Sequence, residues 1–88
     1  MKMFIWDQEF LRDYSSGIGV AVAETVEEAR DLILESCKVY DEEILGIDFS
    51  NLDYECTYSR HYQAQIDLVA PPDKILDLPA AVHKFGGA

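Results

Sequence analysis

Four side chains in this 88-residue sequence carry the nucleophilic or metal-binding chemistry of an enzyme centre: Cys37, Cys56, His61 and His83. A zinc site draws its ligands from a close-knit pattern, and the spacing of these four as a set matches none. Cys37 falls on the apolar face of a predicted helix, where a thiol behaves as a small hydrophobe. A Cys56–His61 nucleophile and base would lie on opposite faces of a continuous strand, because their separation is odd; only a hairpin or bulge would bring them together. Ser15 and Ser16 lack the glycine-flanked elbow of a serine nucleophile. Gly17-Ile18-Gly19 has neither the third glycine of a dinucleotide fingerprint nor the Lys-Ser/Thr of a phosphate loop. Asp41, Glu42 and Glu43 do not follow a calcium-loop spacing. A domain this small also offers little concavity for a working carboxylate pair. The expectation is a protein without catalytic residues, metal or cofactor, and not an enzyme.

The remaining chemistry is negative charge. Seventeen acids against seven bases give a formal −10. Such a surface repels nucleic acid and anionic lipid and attracts basic proteins and cations. Five of the acids and one arginine fall within "ETVEEARDLILESC", residues 24–37.

Those acids have to be positioned by a helix. Thr25 and Glu28 form a predicted capping box, in which the hydroxyl accepts from the backbone N–H near Glu28 and the Glu28 side chain reaches back to that of Thr25. The helix should run from about Val26 to about Tyr40. Val26, Ala29, Ile33, Cys37 and Tyr40 share one face; Glu24, Glu27, Glu28, Asp31 and Glu35 lie opposite. Capping and the helix dipole account for acids in the first turn. They do not account for Asp31 and Glu35, whose like charges four residues apart cost a few tenths of a kcal/mol.

Around the helix the pattern predicts strands. "KMFIW", residues 2–6, is short, apolar and aromatic. "GIGVAVAE", residues 17–24, reads as a central strand covered on much of both faces, with a tight entry or bulge at its glycines. Residues 41–52 are either a helix end with a loop or a short extra strand. From Tyr54 to Leu68 the period is two, with apolar residues at even positions and Arg60 the one break. That predicts a half-buried strand, or two divided near Ser59–His61. Tyr54, Tyr58 and Tyr62 would then share one side, either lining the core or forming an aromatic row for a partner. Two prolines at 71–72 stop that strand. A last short strand is placed at Ala81–Phe85.

The whole is one domain, residues 1–88, of α+β class: about four mostly antiparallel strands in the order β-β-α-β-β, with one amphipathic helix on one face. A β-grasp-like arrangement is a variant of that order. The first residues meet Asp7 and Glu9 too early for a secretory leader, and no apolar run approaches the roughly 20 residues of a membrane span. A cytoplasmic protein with reduced thiols is expected.

The short start "MKMFIWD", the acidic helix "TVEEARDLILES" and the "DEE" that follows resemble, in size and charge, the small acidic accessory proteins of phages and mobile elements, anti-CRISPR and other anti-defence inhibitors among them. The resemblance spans the chain and carries no diagnostic motif, so no residue role is transferred. It implies a stoichiometric inhibitor that occupies a basic nucleic-acid-binding surface of a host protein in the host cytoplasm. The acids expected to meet that partner are Glu24, Glu27, Glu28, Asp31 and Glu35, with Asp41, Glu42 and Glu43 beyond them. Neither nucleic acid nor membrane is expected as a direct partner; a homodimer is compatible with the sequence. The competing readings are a small regulatory domain that dimerises through its sheet, and a Cys/His-dependent enzyme or metal-binding domain.

Overall fold

The computed structural model describes residues 1–8, 10, 17–48 and 59–81. Within them the elements are β1 (Lys2–Trp6), β2 (Gly19–Ala23), α1 (Val26–Glu43), α2 (Arg60–Asp67) and β3 (Lys74–Asp77). The α+β class stands. The architecture among the described residues is a three-stranded antiparallel sheet with two helices, in the order β-β-α-α-β. No described helix is long and apolar enough to cross a membrane.

The sheet order is β2-β1-β3, so β1 rather than β2 is the central strand. Phe4 pairs with Ala21 on one side and Ile75 on the other, which aligns the three strands. Phe4, Ile5 and Trp6 are buried, as a middle strand requires. β2 alternates instead. Gly19, Ala21 and Ala23 turn inward, while Val20 and Val22 are 41% and 39% exposed. The β-branched run was misleading because its small residues, not its valines, face the helix. Small residues there let α1 approach the sheet closely. At Gly19 the reason is local: a Cβ would sit 3.3 Å from the Phe10 ring, so the missing side chain makes room for that ring.

The core lies between this inner face and the helices. Phe4, Trp6, Phe10, Ala21 and Ala23 meet Ala29, Ile33 and Cys37 of α1 and Ala64 and Leu68 at α2. The predicted apolar stripe of α1 is therefore the buried one, with Val26 packed against its margin. The Thr25 hydroxyl accepts from the Glu28 N–H at 3.2 Å, which is the predicted N-cap, while the reciprocal bond of the capping box, from the Thr25 N–H to the Glu28 carboxylate, is not formed among the described residues. At the other end α1 runs one turn past Tyr40 to Glu43. Gly46, at φ 69°, then turns the chain so that the Ile47 N–H returns to the Asp41 carbonyl at 3.1 Å. An L side chain would be strained at that φ. Of the two readings of residues 41–52, the helix end with a loop is the one formed through Asp48; residues 49–52 lie outside the described set.

Residues 60–67 are helix, not strand. The cause is tertiary. The Ser59 hydroxyl accepts from the Tyr62 N–H at 3.0 Å, and the carboxylate of Asp41, reaching across from α1, accepts from the Arg60 and His61 N–H groups at 2.9 Å each. A helix start leaves such N–H groups without partners, and a carboxylate there also meets the positive end of the helix dipole. Arg60, Gln63, Ala64 and Gln65 are good helix formers, and Ala64 and Leu68, four apart, are the buried pair. Tyr54 to Tyr58 of the predicted strand lie outside the described residues. The last strand is Lys74–Asp77 rather than Ala81–Phe85; Ala81 is in no strand and residues 82–85 are not described.

The link between α2 and β3 is pinned back on the core. Trp6 Nε1–H donates to the Ala70 carbonyl at 2.9 Å, and Arg30 Nε–H donates to the Leu68 carbonyl at 2.7 Å. Asp73 accepts from the Asp7 and Gln8 N–H groups at 2.7 and 3.0 Å. These contacts tie a sequence-distant segment to β1 and α1, so the long α1 is held on a fixed platform.

Candidate functional site

The acids singled out in the sequence divide into three groups. Glu27, Glu28, Asp31, Glu35, Glu42 and Glu43 are all exposed on α1. At 100° per residue, the first five fall within an arc of roughly 100° on the solvent side, while Glu43 lies beyond its edge. Acids four apart along α1 are spaced about 6 Å along the axis. None of the six forms an ion pair among the described residues. Lys38 lies in the same arc and offsets one of the five charges. Glu24 stands just before the helix, and one carboxylate oxygen lies 3.5 Å from the amino terminus of Met1. Both groups are more than half exposed, so this pair offsets little of the charge.

Asp41 forms the third group and is a correction. It was expected on the acidic surface, yet it is fully buried. Besides the two N–H groups of α2, its carboxylate accepts from the Ser59 Oγ–H at 2.6 Å. Three donors from one short segment converge on it. Asp41 thus joins α1 to α2 and presents no charge to a partner.

Four of the described bases are engaged away from the α1 acids. Lys2 lies 3.9 Å from Asp77 and Lys74 lies 3.4 Å from Asp7, both at the sheet. Arg30 gives its guanidinium to backbone carbonyls and lies 5.9 Å from the centre of the Trp6 ring. Arg60 stacks on Tyr40 with its guanidinium carbon 3.6 Å from the ring centre. Beside the acidic arc, Leu32 and Val39 are 48% and 42% exposed. They add an apolar strip to the charged one.

The rival constellation does not assemble among the described residues. Cys56 and His83 lie outside that set. Cys37 is buried in the core, and burial, with the Asp41 carboxylate second, raises its thiol to about 11, against a smaller opposing pull from Arg60. A thiol with that value is almost wholly protonated at neutral pH and is a poor nucleophile. Native protein should therefore react with iodoacetamide at Cys37 far more slowly than does the unfolded chain. Mass mapping of the modified peptide over time checks this; equal rates in the two states would show an accessible thiol. His61 sits at the start of α2, where burial is the first cause of a lowered imidazole pKa, opposed by Asp41. No group of three or more potential metal ligands occurs among the described residues.

Fold and site together define a small α+β protein with an acidic helix face on its surface. Comparison with protein-family models, curated proteins and solved structures gives no match to this chain.

Proposed function

We propose that this chain is a non-enzymatic binding protein that acts by covering a basic surface of a partner, most simply the nucleic-acid-binding surface of a host complex, as a stoichiometric inhibitor of the anti-CRISPR type. The observation that carries this reading is the set of six exposed carboxylates on α1 that form no ion pair among the described residues: Glu27, Glu28, Asp31, Glu35, Glu42 and Glu43. The positive end of the helix dipole accounts for Glu27 and Glu28 in the first turn, but among the described residues no ion pair uses the rest. A like-charged row of this kind costs the helix a little stability. In return it supplies a fixed negative field that steers a positive partner and suppresses wrong ones. Carboxylates on a rigid helix stand in for phosphates without needing a nucleic acid's flexibility. Leu32 and Val39 provide apolar contact at the edge of the charged strip, since charge alone contributes more to association rate and specificity than to affinity. The reading places the protein in the host cytoplasm, where Cys37 would remain reduced.

Competition tests it. Immobilised protein should retain a basic nucleic-acid-binding protein from host lysate at low salt, and that partner's own DNA or RNA should displace the chain in proportion to its concentration. A captured partner that binds its nucleic acid and this chain simultaneously would refute occupation of the nucleic-acid surface.

A further inference from the structure

A groove of about 280 Å³ runs between β2 and α1, outside the acidic arc and independent of the binding reading above. Phe10, Ile18, Ile33, Cys37 and Tyr40 form its walls, and Arg60 stands at its rim. Gly19 contributes backbone only, which lets the Phe10 ring lie against the strand. The Arg60 guanidinium is stacked over Tyr40, yet it has no carboxylate partner and no hydrogen bond among the described residues. In a chain with seventeen acids that arrangement is a notable exception, because Lys2 and Lys74 each sit beside an aspartate and Arg30 donates to carbonyls. The ring holds the guanidinium's plane in place while leaving its N–H fork available.

We propose that this groove binds a small amphiphilic carboxylate, with its head on Arg60 and a short apolar chain or ring along Ile18 and Tyr40, over a floor made by the buried Phe10, Ile33 and Cys37. A guanidinium recognises a planar carboxylate with two parallel N–H···O bonds, and the apolar walls beside it take the tail. The volume lies just below the roughly 300–1,000 Å³ usual for small-molecule pockets, so the ligand must be small. A single cation beside the buried Asp41 carboxylate suits a monoanion and disfavours a phosphate dianion. The net charge of the chain opposes any anion at long range. Salt screens that repulsion beyond about 8 Å at physiological ionic strength, whereas the guanidinium acts in direct contact.

The test is an amide NMR titration of the full chain with octanoate and, as the uncharged match, 1-octanol. Octanoate should shift the amides of Phe10, Gly19, Ile33, Cys37 and Tyr40, and bind about tenfold more tightly than octanol. Arg60→Gln should abolish that preference; Arg60 meets Asp41 through its backbone N–H, which the substitution keeps. Ser36→Phe, at an exposed position on the groove wall, should fill the space and stop both ligands from binding while the spectrum stays that of the folded protein. Equal binding of octanoate and octanol to the unaltered chain, octanoate binding undiminished in Arg60→Gln, or shifts centred elsewhere would each overturn the proposal. Shifts at the same amides that grow with protein concentration alone would assign the groove to a second copy and overturn it too.

Discussion

Asp41→Ala should destabilise the protein by about 3 kcal/mol, with the urea midpoint falling in proportion. The carboxylate is fully buried and takes donors from Ser59 Oγ and from the Arg60 and His61 N–H groups. Alanine would strand all three in a site that water reaches poorly. An unmet hydrogen bond to a charged group costs about 1.5–3 kcal/mol, and the three are not additive because they share one acceptor. For a domain of this size, total stability is on the order of 5–10 kcal/mol, so the loss is a large fraction of it. Asp41→Asn keeps the shape and one carbonyl acceptor and should recover part of the loss. Glu42→Ala, one residue along at an exposed position, should change stability by under about 0.5 kcal/mol. If Asp41→Ala and Glu42→Ala unfolded at the same urea concentration, Asp41 would not be the joint between α1 and α2.

The same residue marks where the sequence could and could not be read. The α1 stripe of Ala29, Ile33 and Cys37 was legible because eighteen residues give the 3.6 period several turns in which to repeat. Thr25 was legible because its hydrogen bond is local. β1 followed from a short aromatic run. Residues 60–67 were not legible as helix. Eight residues give little more than two turns, and their apolar positions also fitted a period of two. What decides between them is a carboxylate eighteen to twenty positions away, which local pattern does not reveal. Arg60, the break in the alternation, together with the helix formers that follow it, was the available signal. The continuous apolar run of β2 predicts a central strand. Its position in the sheet depends on which strand pairs with β1, and composition does not encode that. The acidic site was legible as a face but not residue by residue. Asp41 shares the charge of Glu42 and Glu43 and precedes them directly, yet the helix turns it inward.

Replacing Asp31 and Glu35 together by lysine should weaken binding to a basic partner by about 100-fold or more. Both side chains are exposed in the middle of the α1 arc, where the field of Glu27, Glu28 and Glu42 adds to their own. The double change replaces two attractions with two repulsions, and like charges brought together at an interface cost several kcal/mol. The fold should survive. A lysine at position 31 lies one turn after Glu27, an orientation that stabilises a helix by a few tenths of a kcal/mol, and neither position touches the core. Thermal unfolding within a few degrees of the parent protein, with binding lost, is the expected pair of results. Full binding by the folded double variant would remove the α1 face from the account. A lysine at Asp77 instead, exposed on the edge strand of the sheet beside Lys2, should leave affinity within about threefold.

The measurement closest to the central claim is the dissociation constant of the purified complex with its basic partner across a salt series, from about 50 to 300 mM, spanning Debye lengths from well above to below 10 Å. A complex held by the exposed carboxylates of α1 should weaken at least about tenfold over that range, chiefly through slower association, and the slope should flatten in the Asp31→Lys, Glu35→Lys variant. An affinity that stays constant across the series would contradict the claim that negative charge on this helix is what the partner recognises.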